Sequence, residues 1–83
     1  MAASPKVTIT YCADCGYEDE TLALARSLML EFRDAISGIE LIPWDGGTFE
    51  VSVGGVLVHS MAREGGFADH DRVKAAVRET LER

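Results

Sequence analysis

The chain has 83 residues, 47% of them hydrophobic and 27% charged, with a formal charge of −6. That length leaves room for one domain with a modest core and excludes a two-domain enzyme, and the balance is that of a folding chain, not a disordered one. All of the excess charge falls in residues 1–50, where nine acids face three bases, while residues 51–83 balance at five each.

No cluster of Lys and Arg is available to displace counterions, so neither nucleic acid nor an acidic membrane surface is an expected partner. The longest apolar run, Leu22–Ala25, falls far short of the ~20 residues of a membrane span. The opening Met1-Ala2-Ala3-Ser4-Pro5 lacks the basic and apolar regions of a secretory leader. The expectations are a short N-terminal tail at 1–5, a single domain at 6–83 and a cytoplasmic address, where a structural disulfide would be unusual.

Lys6–Tyr11 alternates, with Val7, Ile9 and Tyr11 on one face and Thr8 and Thr10 on the other, which is the period and chemistry of a strand. After a turn rich in Cys and Gly, Leu22, Ala25, Met29, Phe32 and Ile36 recur at steps of three and four and predict a helix with that stripe inward, stopping at Ser37-Gly38. Ile39–Pro43 is a short apolar strand. Asp45-Gly46-Gly47 then breaks the chain before Thr48–Val53, where Phe49, Val51 and Val53 alternate with Glu50 and Ser52.

Gly54-Gly55 between Val53 and Val56 predicts a two-residue turn of positive φ closing a hairpin onto Val56–Ser60. A polar loop over Met61–Ala68 follows, and Asp69 is placed to cap a last helix whose inner face is Val73, Ala76, Val77, Thr80 and Leu81. The resulting order, β-α-β-β-β-α, implies an α/β fold with a four-stranded mixed sheet. The first two strands are parallel through a right-handed crossover, the hairpin joins antiparallel, and the helices pack on the sheet. This topology brings Cys12, Gly47 and Ser60 to one rim, with Gly46–Phe49 closer to the cysteines than His59–Arg63.

Cys12-Ala13-Asp14-Cys15 falls between a strand and the start of a helix, the context that turns a short motif into a thioredoxin-like redox candidate. Unpaired N–H groups and the helix dipole favour a thiolate in such a turn, and the second thiol can resolve a mixed disulfide formed by the first. The alternatives are weaker. So small a loop contributes little as a structural staple, His59 and His70 are too widely spaced for a compact zinc site, and a reduced pair that merely packs uses none of the context. No metal and no bound cofactor are expected.

The segments Cys12-Ala13-Asp14-Cys15-Gly16-Tyr17, Gly47-Thr48-Phe49-Glu50-Val51 and Gly55-Val56-Leu57-Val58-His59-Ser60, with Gly66-Phe67-Ala68-Asp69 before the last helix, resemble the selenoprotein W family, the Rdx-type group of small thioredoxin-like proteins. The resemblance implies a thioredoxin-like fold and thiol-based redox chemistry in the cytosol, with glutathione as candidate reductant and poorly defined substrates. It also leaves the attacking thiol open. Ordinary thioredoxins attack through the first cysteine of the motif, which points to Cys12, whereas selenoprotein W relatives carry selenocysteine at the position matching Cys15. With Cys there, slower chemistry of the same kind is expected.

Around the pair, Ala13 and Asp14 lie within the motif, and Tyr17 is a packing residue or a hydroxyl donor near the sulfurs. Trp44 is core or an aromatic wall beside the thiols. Thioredoxins place a cis-proline before the strand facing the cysteines, but that junction here reads Asp45-Gly46-Gly47-Thr48. Gly46 and Gly47 either admit a substrate backbone, having no Cβ, or form a plain loop, with Thr48 and Phe49 next to them. His59 is an edge histidine or a proton shuttle at the rim.

Asp14, Glu18, Asp19 and Glu20 crowd the motif with no Lys or Arg nearby in sequence, which opposes a thiolate and predicts a reducing pair. The reading is a thiol-disulfide oxidoreductase acting on protein or small-molecule disulfides, served by a thioredoxin or glutathione system. The alternative is a binding module that uses the acidic first half and the Gly46–Phe49 loop, the cysteines acting as a redox latch. The Val56–Ser60 edge, poor in charge, is the candidate homodimer surface.

Overall fold

The structure, a computed structural model, describes residues 4–83. Of the expected tail, residues 1–3 lie outside the described residues. Pro5 is already buried, its carbonyl accepting from the Ser37 N–H at 2.9 Å. The elements are β1 (Lys6–Cys12), α1 (Glu18–Phe32), a turn of 3-10 helix (Arg33–Ala35), β2 (Gly38–Trp44), β3 (Phe49–Val53), β4 (Val56–Ser60), the one-turn helix α2 (Met61–Glu64) and α3 (His70–Leu81). The sheet runs β2-β1-β3-β4, with β1 parallel to β2 and antiparallel to β3, and β3 antiparallel to β4. The fold is thioredoxin-like, and its first strand lies beside the first arm of the hairpin as the topology predicts.

Alternation sorts the sheet into two faces. Val7 and Ile9 of β1 and Phe49, Val51 and Val53 of β3 are buried against Leu24, Leu28 and Phe32 of α1 and Val73 and Val77 of α3. Both helices lie on that face, joined to each other by Glu31, which accepts from Arg78 at 3.0 Å and stands 3.8 Å from Lys74. The other face, carrying Thr8, Thr10, Glu40, Ile42, Glu50 and Ser52, stays partly or fully exposed. Asp69 caps α3, its carboxylate accepting from the Asp71 N–H at 3.1 Å.

Gly54 and Gly55 hold φ of +58° and +84° in the hairpin turn, a conformation costing most L-residues about 1–2 kcal/mol. The expected helix stripe needs correction. Leu22 and Met29 are exposed, and the buried residues of α1 are Thr21, Leu24, Ala25, Leu28 and Phe32. The α-helix also stops at Phe32, before Ile36, and the segment expected to be loop from Met61 contains α2. Among the described residues no helix is long and apolar enough to cross a membrane.

Candidate redox site

Cys12 ends β1 in register with Trp44 of β2. The chain then turns instead of entering the helix directly. Ala13 N–H donates to the Trp44 carbonyl (3.0 Å), Gly16 N–H to the Ala13 carbonyl (3.2 Å) and Tyr17 N–H to the Cys12 carbonyl (3.4 Å), while Gly16 takes φ +77°. This turn brings the Cα atoms of Cys12 and Cys15 to 5.2 Å, and the two sulfurs form a disulfide.

The two halves of that disulfide differ in access. Cys12 is fully buried, with 0% of its surface exposed, and Cys15 is exposed. An incoming thiolate or disulfide therefore meets the Cys15 sulfur. Helix α1 begins at Glu18, three residues beyond Cys15, so the pair lies between strand and helix as expected, and a dipole whose influence fades within a turn stabilises a Cys15 thiolate only weakly. Glu18, Asp19 and Glu20 are the acids of that first turn.

The neighbouring residues divide into buried and accessible groups. Ala13 is half-buried and Asp14 exposed. Tyr17 packs, its ring meeting Phe67 edge-on at 4.9 Å. Phe67 continues to Phe49 at 5.1 Å, and Phe49 to His59 at 6.1 Å. Phe49 is only 1% exposed, so it supports the site from within and presents no surface to a substrate.

His59 is not at an open rim. It is 4% exposed, its Nε2–H donates to the Gly66 carbonyl at 3.0 Å and its Nδ1 stands 3.7 Å from Glu64 Oε2. A carbonyl only accepts, so this bond fixes the proton on Nε2. Buried and engaged at both ring nitrogens, His59 holds the loop that carries Phe67.

Trp44 is 61% exposed, the opposite of a core residue, and stands on the open side of the sheet. Asp45–Thr48 forms the turn after it, where the Thr48 hydroxyl and N–H both donate to the Asp45 carbonyl at 2.7 and 3.3 Å. Gly46 and Gly47 hold φ of +69° and +74° with no atom within 4 Å of where a Cβ would sit. They are needed for the backbone of the turn, and the space above them is open. No cis peptide bond occurs among the described residues.

Thr10, Ile42, Trp44, Thr48 and Glu50 line a concavity of about 480 Å³ on the open face. Two of these, Trp44 and Thr48, are legible as site residues in sequence. Thr10, Ile42 and Glu50 are missed, although the strand alternation already places Thr10 and Glu50 together on the outward face. Phe67 is missed as well, and its signal is a lone aromatic in a Gly-rich polar loop. No group of three or more His, Cys, Asp or Glu side chains suited to a metal occurs among the described residues.

A family model described as the Rdx family matches residues 6–79. Selenoprotein W of Gallus gallus is 34% identical over 84 residues, covering 92% of this chain and 95% of that protein. Migration and invasion enhancer 1 of Mus musculus is 35% identical over 74 residues, covering 87% of this chain, and the match spans only 61% of that relative's length. Among solved structures, a selenoprotein W-related protein from Vibrio cholerae superposes with a TM-score of 0.89 at 29% identity, covering 95% of this chain and 99% of that one. A protein from Bordetella parapertussis superposes with a TM-score of 0.86 at 26% identity, covering 93% and 98%. A β-α-β-β-β-α fold with a cysteine pair at its strand-to-helix turn agrees with both kinds of match, and the chain belongs to the Rdx family, among the selenoprotein W-related proteins.

Proposed function

We propose that this protein is a thiol-disulfide oxidoreductase in which Cys15 attacks and Cys12 resolves. The observation that carries the reading is the contrast in access within one disulfide: an exposed Cys15 bonded to a Cys12 that is fully buried. In the reduced protein the Cys15 thiolate attacks one sulfur of a substrate disulfide. A Cys15–substrate disulfide forms, and the other half leaves as a thiolate that takes up a proton. The Cys12 thiolate then attacks the Cys15 sulfur, re-forming the internal disulfide and releasing the second substrate thiol. Two electrons pass from the protein dithiol to the substrate. An external thiol system of the glutathione or thioredoxin type restores the dithiol, entering at the accessible Cys15 sulfur. A reducing, cytosolic setting suits this direction.

Repeated turnover separates this reading from a redox-controlled binding module. With bis(2-hydroxyethyl) disulfide as substrate and an NADPH-coupled thioredoxin or glutathione system as donor, the protein should consume many equivalents of NADPH above the uncatalysed rate. Oxidation that halts after a single equivalent, in the presence of both donor systems, identifies a latch and removes the catalytic reading.

A further inference from the structure

The concavity beside Trp44 has the composition of a subsite for a cationic side chain. Its floor is a row across three strands, since Thr10 is in register with Ile42 on β2 and with Glu50 on β3. Trp44 supplies an exposed aromatic wall, Thr10 and Thr48 supply hydroxyls, and Glu50 supplies a carboxylate. Glu50 accepts one hydrogen bond, from the Ser60 hydroxyl to Oε2 at 3.2 Å, and among the described residues no Lys or Arg pairs with it. Lys6, on the same face, sits at the far end of β1 and is held by Glu40 at 3.3 Å.

We infer that this concavity binds a lysine or arginine side chain next to the reacting half-cystine of a peptide disulfide, which makes basic peptide disulfides the preferred substrates. The inference rests on the oxidoreductase reading above and names its substrate class. A cation placed there meets the face of Trp44 and the Glu50 carboxylate together, an arrangement in which both attractions act on one group. The surroundings have the same sign, because Asp14, Asp45 and the first-turn acids Glu18, Asp19 and Glu20 flank the motif. Reach is adequate. Thr10 and Ile42 precede Cys12 and Trp44 by two residues on their strands, about 7 Å of strand rise, and the Cα of Cys15 stands a further 5.2 Å from that of Cys12, a separation that one extended peptide residue and an arginine side chain span together. Glutathione, net anionic at neutral pH, has the same sign as this field and is repelled by it.

The chemical step is the exchange already described: the Cys15 thiolate displaces one peptide thiolate, and Cys12 displaces the other as the internal disulfide forms. The test compares the homodisulfides of N-acetyl-Cys-Arg-amide and N-acetyl-Cys-Glu-amide with neutral bis(2-hydroxyethyl) disulfide in single-turnover oxidation of the reduced protein. Each rate is divided by that of 2-mercaptoethanol on the same disulfide to remove intrinsic reactivity. The normalised rate on the Arg peptide should exceed that on the Glu peptide about tenfold at low salt, and the ratio should shrink as salt rises. Glu50→Gln and Trp44→Ala should each lower the ratio. Asp34→Asn, which removes the same charge beside the far end of the sheet, should not.

Equal normalised rates for the two peptides, with the neutral disulfide still reduced, overturn the subsite and leave the redox reading intact. Failure to reduce any disulfide removes the redox reading, and a second measurement then decides the subsite alone. Trp44 is the sole tryptophan, so N-acetyl-arginine amide should change the intrinsic fluorescence of the oxidised protein in a saturable way while N-acetyl-glutamate amide does not. Identical responses to both overturn the inference.

Discussion

Phe67, on the loop between α2 and α3, sets its ring edge-on against Tyr17 at 4.9 Å, and so ties that loop to the turn that carries Cys15. The same ring meets Phe49 at 5.1 Å, so a half-exposed side chain joins the site to the core. Edge-to-face aromatic pairs contribute beyond their buried area. Phe67→Ala should therefore lower the unfolding free energy by about 1–2 kcal/mol, read as a lower urea midpoint at unchanged m. Amide exchange at Gly16 and Tyr17 should quicken in the same variant. Stability within error of wild type, with unchanged exchange at those amides, would show that the ring merely rests there.

Glu64 anchors the other side of that loop. It pairs with Arg72, accepts from the Ser60 N–H at 3.3 Å and stands 3.7 Å from His59. The Arg72 hydrogen bond, chiefly, holds its carboxyl below the ordinary glutamate range against the opposing effect of desolvation, and the Ser60 N–H adds to the lowering. A folded pKa below the unfolded one gives stability that is present above the unfolded value and is lost as pH falls through the folded value. Glu64→Gln should therefore destabilise most at neutral pH, with its Tm curve converging on that of wild type in acid. Parallel curves across that range would mean the carboxylate contributes nothing to folding.

Charge around the motif bears on its potential. Asp14 and the acids of the first turn of α1 oppose a thiolate, and the helix begins too far from Cys15 to offset them. Strong oxidants owe their potential to a stabilised reduced form, which this site lacks. Equilibration against dithiothreitol redox buffers with alkylation of free thiols should give a potential near thioredoxin's, about −270 mV. A value above about −180 mV, the range of dedicated isomerases and oxidants, would contradict this electrostatic account.

Much of this architecture was legible because single residues specified it. Gly54-Gly55 between two valines closes the hairpin, and the alternation of Val7 with Ile9 and of Phe49 with Val51 and Val53 gives the buried face. The face of α1 was not legible. Its apolar residues support two overlapping stripes that share Ala25 and Phe32. The one that faces the sheet includes Thr21, a polar residue whose hydroxyl is satisfied by donating to the Tyr17 carbonyl at 2.8 Å. Leu22, from the rejected stripe, lines a groove of about 230 Å³ with Tyr11, Glu18, Thr21 and Leu41.

The burial of His59 was hidden for a different reason. Ser52 and Val51 on β3 oppose Leu57 and His59 on β4, leaving Val58 as the extra residue of a bulge. A bulge shifts the alternation by one, which turns His59 toward the helices and Ser60 toward Glu50. At the cysteine pair itself, spacing revealed that a bond is feasible. Which sulfur faces solvent depends on the Trp44 carbonyl and Gly16 turning the chain after Cys12, and spacing does not encode that.

Mass spectrometry of the two single-cysteine variants, after each is mixed in reduced form with bis(2-hydroxyethyl) disulfide, reads the division of roles most directly. Cys12→Ser should accumulate a stable mercaptoethanol adduct on Cys15, while Cys15→Ser, with its remaining thiol sealed from solvent, should stay almost unmodified until unfolded. Adduct confined to the folded Cys15→Ser variant, or absent from both folded variants while their unfolded forms react, would contradict the account.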